Sequence, residues 1–523
     1  MDISGNTAAR PLDATNAGFF KRLSLCLSGN PNAVIALFGV YFLVQAIVRQ
    51  LVPPALRIDE AQQVLFAQWL ALGYDAQPPL YNWYQHVIFS VFGTSMATLA
   101  FAKNFILFLT FAVYTKTAEL VLRDKRLVVV AALSLYVIPQ VFWQAQRDLT
   151  HTAMLMLTFA SMLYVSIRLI QRPTTIGYLL VGLAAGLGML SKYNFALILP
   201  ALLFAVWMHP QGRTRILDRR FLLTILTAFI VFLPHVFWLF NNLGFASDVT
   251  LKRMAEDAPD NRLLQIGRGL GRFIAGSTII ITAPTLLLWL TARREKSHSP
   301  ASESSWFRFF FHYFMAIAVL MILVILITTM TELRDRWLLP LLMPFPILAT
   351  LLLEGRGFDT DQFVGRFLAI PFVMMVLVPI ALLASQPFIS LTGRASSSNY
   401  DWQAFHNHIV ENEKISPSVI ITPNWPSGGN LRFVFKDVPV ATVTYDDYDP
   451  IFNVSNERPI VMAWTGDSGG DQVASMTAWL KDQIKADVQN VQVSTFDVPL
   501  YYPIENKKLR FNYAIVRPAN IKK

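Results

Sequence analysis

The chain is dominated by apolar runs that are each long enough to cross a lipid bilayer. A helix needs roughly 20 apolar residues to span the hydrocarbon core, because each residue adds about 1.5 Å. Hydrophobic residues make up 54% of the 523 positions and charged residues only 15%, which excludes a soluble enzyme. The sequence predicts a polytopic α-helical membrane protein. We expect eleven spans, at residues 33–52, 97–114, 127–144, 150–169, 174–191, 194–209, 221–241, 272–292, 309–329, 338–353 and 367–390.

The basic residues between these runs predict the orientation of the chain. Cytoplasmic loops carry an excess of Lys and Arg, and alternate loops here differ clearly in that way. The rule places the N-terminus in the cytoplasm, and an odd number of spans then places the C-terminus outside. The formal net charge of +10 indicates contact with anionic headgroups, and no continuous basic surface points to nucleic acid. One of the basic loops predicted to be cytoplasmic holds Arg213, Arg215, Arg219 and Arg220.

Composition divides the chain into three parts. We expect a cytoplasmic segment at 1–32, a transmembrane domain at 33–392 and a periplasmic α/β domain at 393–523. The last part contains strand-like segments SVIITP, FVFKDVPVATVTY, RPIVMAW and RFNYAIVRP, turn-like WPSGG and TGDSGG, and one amphipathic stretch at 473–485. The single cysteine, Cys26, excludes a disulfide framework and a cysteine-ligated metal site. The sequence contains no GxxxxGK[ST] phosphate-binding loop, which argues against ATP-driven transport.

Ionisable residues gather at the predicted outer ends of the spans. Charges are costly at membrane depth, so such residues are candidates for function. Four loops deliver acids and bases to one membrane face. They hold Asp59 and Glu60; Arg147, Asp148 and His151; Lys192 and Tyr193; and Arg334, Asp335 and Arg336.

The first outer loop predicts two helices that lie in the membrane interface. The stretches AQQVLFAQWLALG and YDAQPPLYNWYQHVIFSVFG place Trp and Tyr at headgroup level, and Pro78 and Pro79 turn the chain between them. Asp59 and Glu60 stand at the start of the first helix, where the helix dipole favours an ionised carboxylate. An ionised carboxylate can act as a general base.

Five motifs together resemble the integral-membrane glycosyltransferases of the C-type (GT-C) fold, which include protein O-mannosyltransferases and aminoarabinose lipid A transferases. The motifs are RIDEAQQVLFAQWL, QPPLYNWY, QRDLTHTAML, LSKYNFALILPALL and ELRDRWLLPLLMP, in that order. The resemblance implies a polyprenyl-phosphate sugar donor, reaction at the periplasmic face of a bacterial inner membrane, and inversion at the anomeric carbon. Acceptors in that superfamily include lipid A, lipopolysaccharide core sugars and secreted proteins, so a protein O-glycosyltransferase stays open. A flippase of a lipid-linked sugar and a non-catalytic scaffold are the alternatives from other classes.

The chemistry of this reaction assigns an expected role to each candidate. Asp59 is the expected general base and Asp148 the residue that positions acceptor or sugar. The leaving phosphate needs cations, which suits Lys192, Arg334 and Arg336. Because a lipid phosphate leaves as a stable anion, a general acid is not obligatory and one carboxylate can suffice. We expect no required cofactor, and a divalent metal ion stays open. The remaining expected substrate-binding residues are Glu60, Arg147 and Tyr193, with Glu60 orienting the loop or joining a divalent metal ion.

Each assignment has a structural alternative. Asp59 would simply cap its helix, and Asp148 would cap the fourth span and pair with Arg147. Lys192 would only extend to the membrane interface. In the structural alternative, at least one of the two arginines beside Asp335 forms an ion pair or contacts lipid headgroups. His151 and His86 are interpreted as interfacial histidines rather than metal ligands, because no second histidine stands at ligand spacing.

Overall fold

A computed structural model of the protein describes residues 27, 29–75, 77–254, 258–293, 304–356, 360–394, 396–445, 448, 450–466 and 470–522. The side chains at 245–253, 360–362 and 470 are not described. Cys26 and most of the segment 1–32 lie outside the described residues, and so do the expectations placed on them.

Long apolar helices form the larger part of the molecule. Seven of those in the described residues are long and apolar enough to cross a membrane. They are α1 (Pro31–Gln50), α4 (Met96–Val121), α7 (Thr150–Gln171), the Phe221–Gly244 part of α11 (Phe221–Met254), α12 (Arg262–Ala292), α13 (Ser305–Thr328) and the Phe363–Leu391 part of α16 (Thr360–Leu391).

Four further predicted spans fall on helices that are bent or short. The pair α5 (Lys125–Tyr136) and α6 (Gln140–Arg147) bends by 65°, and the pair α14 (Asp335–Leu342) and α15 (Phe345–Gly355) bends by 41°. Pro139 and Pro344 stand at these breaks, where a missing backbone N–H interrupts the helical hydrogen bonds. The other two are the shorter apolar helices α8 (Thr175–Ser191) and α9 (Phe195–Met208). Within the described residues, length and composition support seven spans, or nine with the bent pairs, so the count of eleven is not confirmed.

Two helices precede the second long helix and fill the loop that the sequence predicts to be the first outer loop. They are α2 (Ile58–Phe66) and α3 (Leu80–Phe92), close to the two predicted interfacial helices. The short helix α10 (Gly212–Ile216) lies in the loop with four arginines that the sequence predicts to face the cytoplasm. The element α6 begins with a π-helical turn, Gln140–Gln144, immediately before the loop that holds Asp148.

The C-terminal part is a sheet with helices, as the composition predicted. The five-stranded sheet has the order β2 (Val440–Thr442), β1 (Val419–Thr422), β3 (Ile460–Thr465), β6 (Lys507–Val516) and β5 (Val493–Ile504). Strand β1 pairs in parallel with β2 and β3, and β6 pairs antiparallel with β3 and β5. A second sheet joins β4 (Asp487–Val488) and β7 (Ile521–Lys522). The predicted boundary at 393 lies just after α16. The elements are α17 (Trp402–Asn407), β1 (Val419–Thr422), α18 (Trp425–Val434), β2 (Val440–Thr442), β3 (Ile460–Thr465), α19 (Gly470–Ile484), β4 (Asp487–Val488), β5 (Val493–Ile504), β6 (Lys507–Val516) and β7 (Ile521–Lys522).

One segment of this part differs from the sequence-based expectation. WPSGG was expected as a turn and Phe433–Phe435 as the start of a strand, but WPSGG, Phe433 and Val434 belong to α18, and Phe435 caps its end. The Asn424 side chain accepts a hydrogen bond from the Ser427 N–H at 3.0 Å, and Pro426 occupies the first turn, so the segment has strong helix-start signals. Only Val440–Thr442 of the long predicted strand is a strand.

Helix α18 packs directly on α2, the helix that carries Asp59. A Cβ added to Gly429 would overlap the backbone of Ala61, which explains a glycine in the middle of this helix. The Asn430 side chain accepts from the Leu56 N–H at 2.7 Å and donates to the Leu56 carbonyl at 3.4 Å. The C-terminal part is therefore locked to the first outer loop by close backbone contact.

Candidate active site

A cavity of about 690 Å³ collects residues from most of the loops that carried charges in the sequence. Asp59 comes from α2, Asp148 from the turn before α7, Lys192 from the turn after α8, and Arg334 and Arg336 from the start of α14. The full lining is Ile58, Asp59, Gln62, Asp75, Gln77, Asp148, His151, Thr152, Lys192, Tyr193, Asn194, Ala196, Leu197, Met254, Val324, Arg334, Arg336, Trp337 and Trp425.

Asp59 is anchored by the beginning of another helix. Its Oδ2 accepts hydrogen bonds from the backbone N–H groups of Leu149 at 2.8 Å and Thr150 at 3.4 Å, where α7 starts. Leu149 has a φ of 76°, a left-handed conformation that a leucine rarely adopts. Oδ1 lies 3.8 Å from the Arg336 guanidinium Nη1. The carboxylate therefore joins α2, α7 and α14 at the cavity and does not cap its own helix.

Asp148 has a carboxylate oxygen that nothing in the described part of the protein satisfies. Its Oδ1 is buried and has no hydrogen-bond partner among the described residues. Burial raises the pKa of Asp148, and the negative charge of Asp59 raises it further, while the Lys103 ammonium opposes them. A buried acceptor without a partner is costly, and it calls for a ligand hydroxyl or a water at this point of the cavity. The alternative expectation, a pair with Arg147, is not the observed geometry.

The cavity holds three cationic side chains. Lys192 is 6% exposed and its ammonium donates to the Thr152 hydroxyl at 2.9 Å, so it does not extend to the outer surface. Arg334 and Arg336 both reach the lining. The carboxylate of Asp335 between them accepts from the Gln140 amide at 3.2 Å and is not part of the lining. Cations that share a cavity with a carboxylate suit an anionic group that leaves during the reaction.

Glu60 lies behind the cavity wall, not in it. Its two carboxylate oxygens accept from Arg49 at 2.9 and 2.7 Å, and Oε2 also accepts from the Arg57 N–H at 3.1 Å. Burial alone would raise the pKa of Glu60, but the charge and hydrogen bonds of Arg49 outweigh it and hold the pKa at about 2. This geometry places Glu60 as a support of the loop. Glu60 does not line the cavity described above.

Arg147 is also outside the cavity lining, in contrast to its expected contact with substrate. Its guanidinium lies 6.0 Å from the ring of Trp143, one turn earlier on α6. The backbone turns at Asp148, so consecutive side chains point to different surroundings. The sequence placed Arg147 and Asp148 in one loop but contained no signal for this divergence.

Tyr193 is held in place by two successive hydrogen bonds, through His235 to the backbone of Leu72. The His235 Nδ1 lies 2.8 Å from the Leu72 carbonyl, an acceptor only, so Nδ1 carries the proton and Nε2 accepts from the Tyr193 hydroxyl at 3.0 Å. His151 lies in the cavity lining, with Nε2 3.3 Å from the Gln63 amide nitrogen, and His86 contacts the Ala67 carbonyl at 2.9 Å. The described residues contain no group of three or more potential metal ligands.

Several residues of the site were not predicted from the sequence. Asp75 is 3% exposed and accepts from the Gln62 amide at 3.1 Å on the cavity wall. Lys103 is buried in α4 and donates to the Gln146 carbonyl at 3.2 Å, directly behind Asp148. A lone lysine in an apolar span was a signal that could have been used. Trp425 reaches the cavity from the C-terminal part, and nothing in its local sequence indicates that.

Comparison with solved structures supports this fold. The crystal structure of ArnT from Cupriavidus metallidurans bound to undecaprenyl phosphate aligns with a TM-score of 0.53 and 13% identity, over 92% of this chain and 97% of that one. The apo structure of the same protein aligns with a TM-score of 0.51 and 13% identity, over 92% and 98% of the two chains. At this identity the likeness concerns the fold, which is that of the GT-C membrane glycosyltransferases expected from the motifs.

Comparison with curated sequences gives the family. Residues 76–238 match the family described as dolichyl-phosphate-mannose-protein mannosyltransferase. The lipopolysaccharide core galacturonosyltransferase RgtB of Rhizobium johnstonii is 34% identical over 487 residues, covering 92% of this chain and 97% of its own. RgtA of the same organism, which carries the same description, is 32% identical over 484 residues, with 92% and 97% covered. The chain therefore belongs to the family of the lipopolysaccharide core galacturonosyltransferases, and it is a multi-pass membrane glycosyltransferase.

Proposed function

We propose that this protein transfers a galacturonosyl residue from a polyprenyl-phosphate donor to a sugar hydroxyl of the lipopolysaccharide core. The sugar and the acceptor follow from the descriptions of RgtA and RgtB, which are similar to this chain over nearly their whole length. The observation that carries the proposal is one cavity that combines an anchored carboxylate, an unsatisfied carboxylate oxygen and three cations. This set matches the needs of displacement at a sugar–phosphate bond.

The residues divide the reaction between them. The acceptor oxygen forms a bond to C1 of the sugar, and its proton passes to the Asp59 carboxylate. The C1–O bond to phosphate breaks, and its electron pair leaves with the lipid phosphate, which Arg334, Arg336 and Lys192 stabilise. Attack from the face opposite the phosphate inverts the anomeric carbon. The unsatisfied Oδ1 of Asp148 accepts a hydrogen bond from a sugar hydroxyl.

The remaining features of the proposal concern cofactors and placement. The lipid phosphate is a stable leaving anion, so we infer that no resident cofactor is required. We place the chain in the bacterial inner membrane with its N-terminus in the cytoplasm, and with the cavity and the C-terminal part on the periplasmic side. The distribution of Lys and Arg among the loops supports this orientation.

The test is transfer by purified protein in nanodiscs, with polyprenyl-phosphate galacturonic acid as donor and core oligosaccharide as acceptor. Asp59→Asn removes the base but keeps the shape, and we expect kcat/KM to fall by at least about 100-fold. Asp218→Asn is the matched control, because its carboxylate pairs with Arg220 in a loop that contributes nothing to the cavity lining. Full turnover by Asp59→Asn would exclude Asp59 as the base. Movement of the donor across the bilayer of proteoliposomes that contain the protein, without a new glycosidic bond, would favour a flippase instead.

A further inference from the structure

The cavity has one wall that belongs to the C-terminal part. Of the lining residues that the structure describes, Trp425 alone lies beyond residue 393. It is the first residue of α18 and is half-buried. The Asn424 cap fixes the start of this helix through the Ser427 N–H. The indole is therefore presented to the cavity by a helix end whose backbone is defined.

The position of Trp425 relative to Asp59 is set by a tight helix–helix contact. Gly429 admits the backbone of Ala61 at a distance that no side chain would allow. The Asn430 amide pairs with both backbone groups of Leu56, two residues before α2. Both anchors lie on or beside the same short helices as the two cavity residues, so Trp425 and Asp59 are held in one frame.

The cavity lining is apolar where the long helices contribute to it and polar where the loop around α2 does. Ala196, Leu197 and Val324 come from the apolar helices α9 and α13. Gln62 lies on α2, and its amide donates to the carboxylate of Asp75 in the loop that follows. A polyprenyl chain is apolar and suits the first set of residues. The hydrophilic acceptor sugar suits the second set.

We propose that Trp425, with the Gln62–Asp75 pair, forms an acceptor-sugar subsite in which a pyranose ring stacks on the indole face. The CH faces of a pyranose are apolar and match the flat ring of tryptophan, whose N–H at the polar tip can donate a hydrogen bond. The hydroxyls at the rim of the sugar need donors and acceptors, which the amide of Gln62 and the carboxylate of Asp75 provide. This subsite rests on the proposed function and names where its acceptor binds.

The test separates acceptor binding from donor binding. Initial rates for Trp425→Ala are measured against the concentration of core oligosaccharide and, separately, against that of the polyprenyl-phosphate donor. We expect the acceptor KM to rise by about tenfold, because a stacked ring and its buried area are lost, while the donor KM stays within about twofold. Trp425→Phe keeps an aromatic face and should recover most of the loss.

The matched control is Phe433→Ala. Phe433 is a half-buried aromatic residue of the same helix that is absent from the cavity lining, so its loss perturbs α18 without touching the subsite. We expect its acceptor KM to equal that of the native protein. An unchanged acceptor KM in Trp425→Ala, or an equal rise in both KM values, would overturn the subsite.

Direct binding distinguishes failure of the subsite from failure of the proposed function. Calorimetric titration of core oligosaccharide into the native protein and into Trp425→Ala needs no donor and no turnover. If the native protein binds the oligosaccharide more tightly than the variant but transfers no galacturonic acid, the subsite stands and the proposed function falls. Absence of binding to the native protein would refute the subsite.

Discussion

Replacement of Glu60 by Gln tests whether the buried ion pair behind the cavity holds the first outer loop. Arg49 and Glu60 are 7% and 2% exposed and share two short hydrogen bonds. The same guanidinium donates to the carbonyls of Pro53 and Ala55 at 3.2 and 3.1 Å. Gln keeps one acceptor oxygen but places an NH₂ group against the guanidinium, so two donors face each other and one positive charge is left buried.

The pKa of Glu60 gives the size of the effect. A fall from 4.5 to about 2 is about 2.5 units, or about 3 kcal/mol at 1.36 kcal/mol per unit. Removal of one partner from a buried ion pair costs about 3–5 kcal/mol, which agrees in order of magnitude. Because the pKa is lowered in the folded protein, this stabilisation is complete above the unfolded value and is lost as pH falls from about 4.5 toward 2.

The assay is thermal denaturation of detergent-purified protein followed by size-exclusion chromatography. At neutral pH we expect the Tm of Glu60→Gln to fall by several degrees, and the difference from the native protein to narrow below pH 4.5. Glu119→Gln is the control, since the Lys116–Glu119 pair is 41% and 25% exposed and should change stability by less than about 1 kcal/mol. A Tm for Glu60→Gln equal to that of Glu119→Gln would refute a structural ion pair.

Two further substitutions test the contact of α18 with α2 and the buried carboxylate. Gly429→Ala should destabilise the protein by about 1–3 kcal/mol and lower turnover, because the new methyl group separates α18 from Ala61; Gly271→Ala, in open space on α12, should leave Tm and kcat unchanged or raise Tm slightly. Equal behaviour of the two variants would contradict the close contact. Asp148→Asn should lose transfer but should denature at or above the native Tm at pH 8. The pKa of Asp148 is raised in the folded protein, so the ionised carboxylate destabilises the fold. This destabilisation grows as the pH rises from the pKa of the unfolded chain through the pKa of the folded protein. In the native protein the acid limb of kcat/KM should lie above that of an ordinary aspartate, and a lower Tm for Asp148→Asn at pH 8 would contradict this sign.

Charge and hydropathy alone identify one part of the site. A carboxylate or guanidinium at the end of an apolar run is expensive, so Asp59, Lys192 and Arg336 are recognisable as candidates in the amino-acid sequence itself. Their meeting in one cavity depends on the ends of separate helices converging. The motifs of the family supplied that order, since hydropathy has no information on which span ends are neighbours.

The missed features depend on contacts between distant parts of the chain. Arg49 lies within the first predicted span, 33–52, and its bond to Glu60 forms only when the intervening loop folds back on that span. WPSGG contains the residues that usually form turns, yet Gly429 is there because Ala61 lies against it. Local propensity weighed glycine as a helix breaker, and tertiary packing reversed its effect.

The docking of the C-terminal part against the helical part also covers one edge of its sheet. Strand β2 is one of the two edge strands of the five-stranded sheet. The Gln68 side chain accepts a hydrogen bond from the Val440 N–H at 2.9 Å and donates one to the Val440 carbonyl at 3.0 Å. An amide side chain thus stands in for a neighbouring strand and blocks recruitment of a second chain. Gln68 precedes Val440 in the chain and is therefore synthesised first, so its side chain is available to pair with β2 when the sheet forms. A fragment cut away from the helical part would leave this border bare and would self-associate.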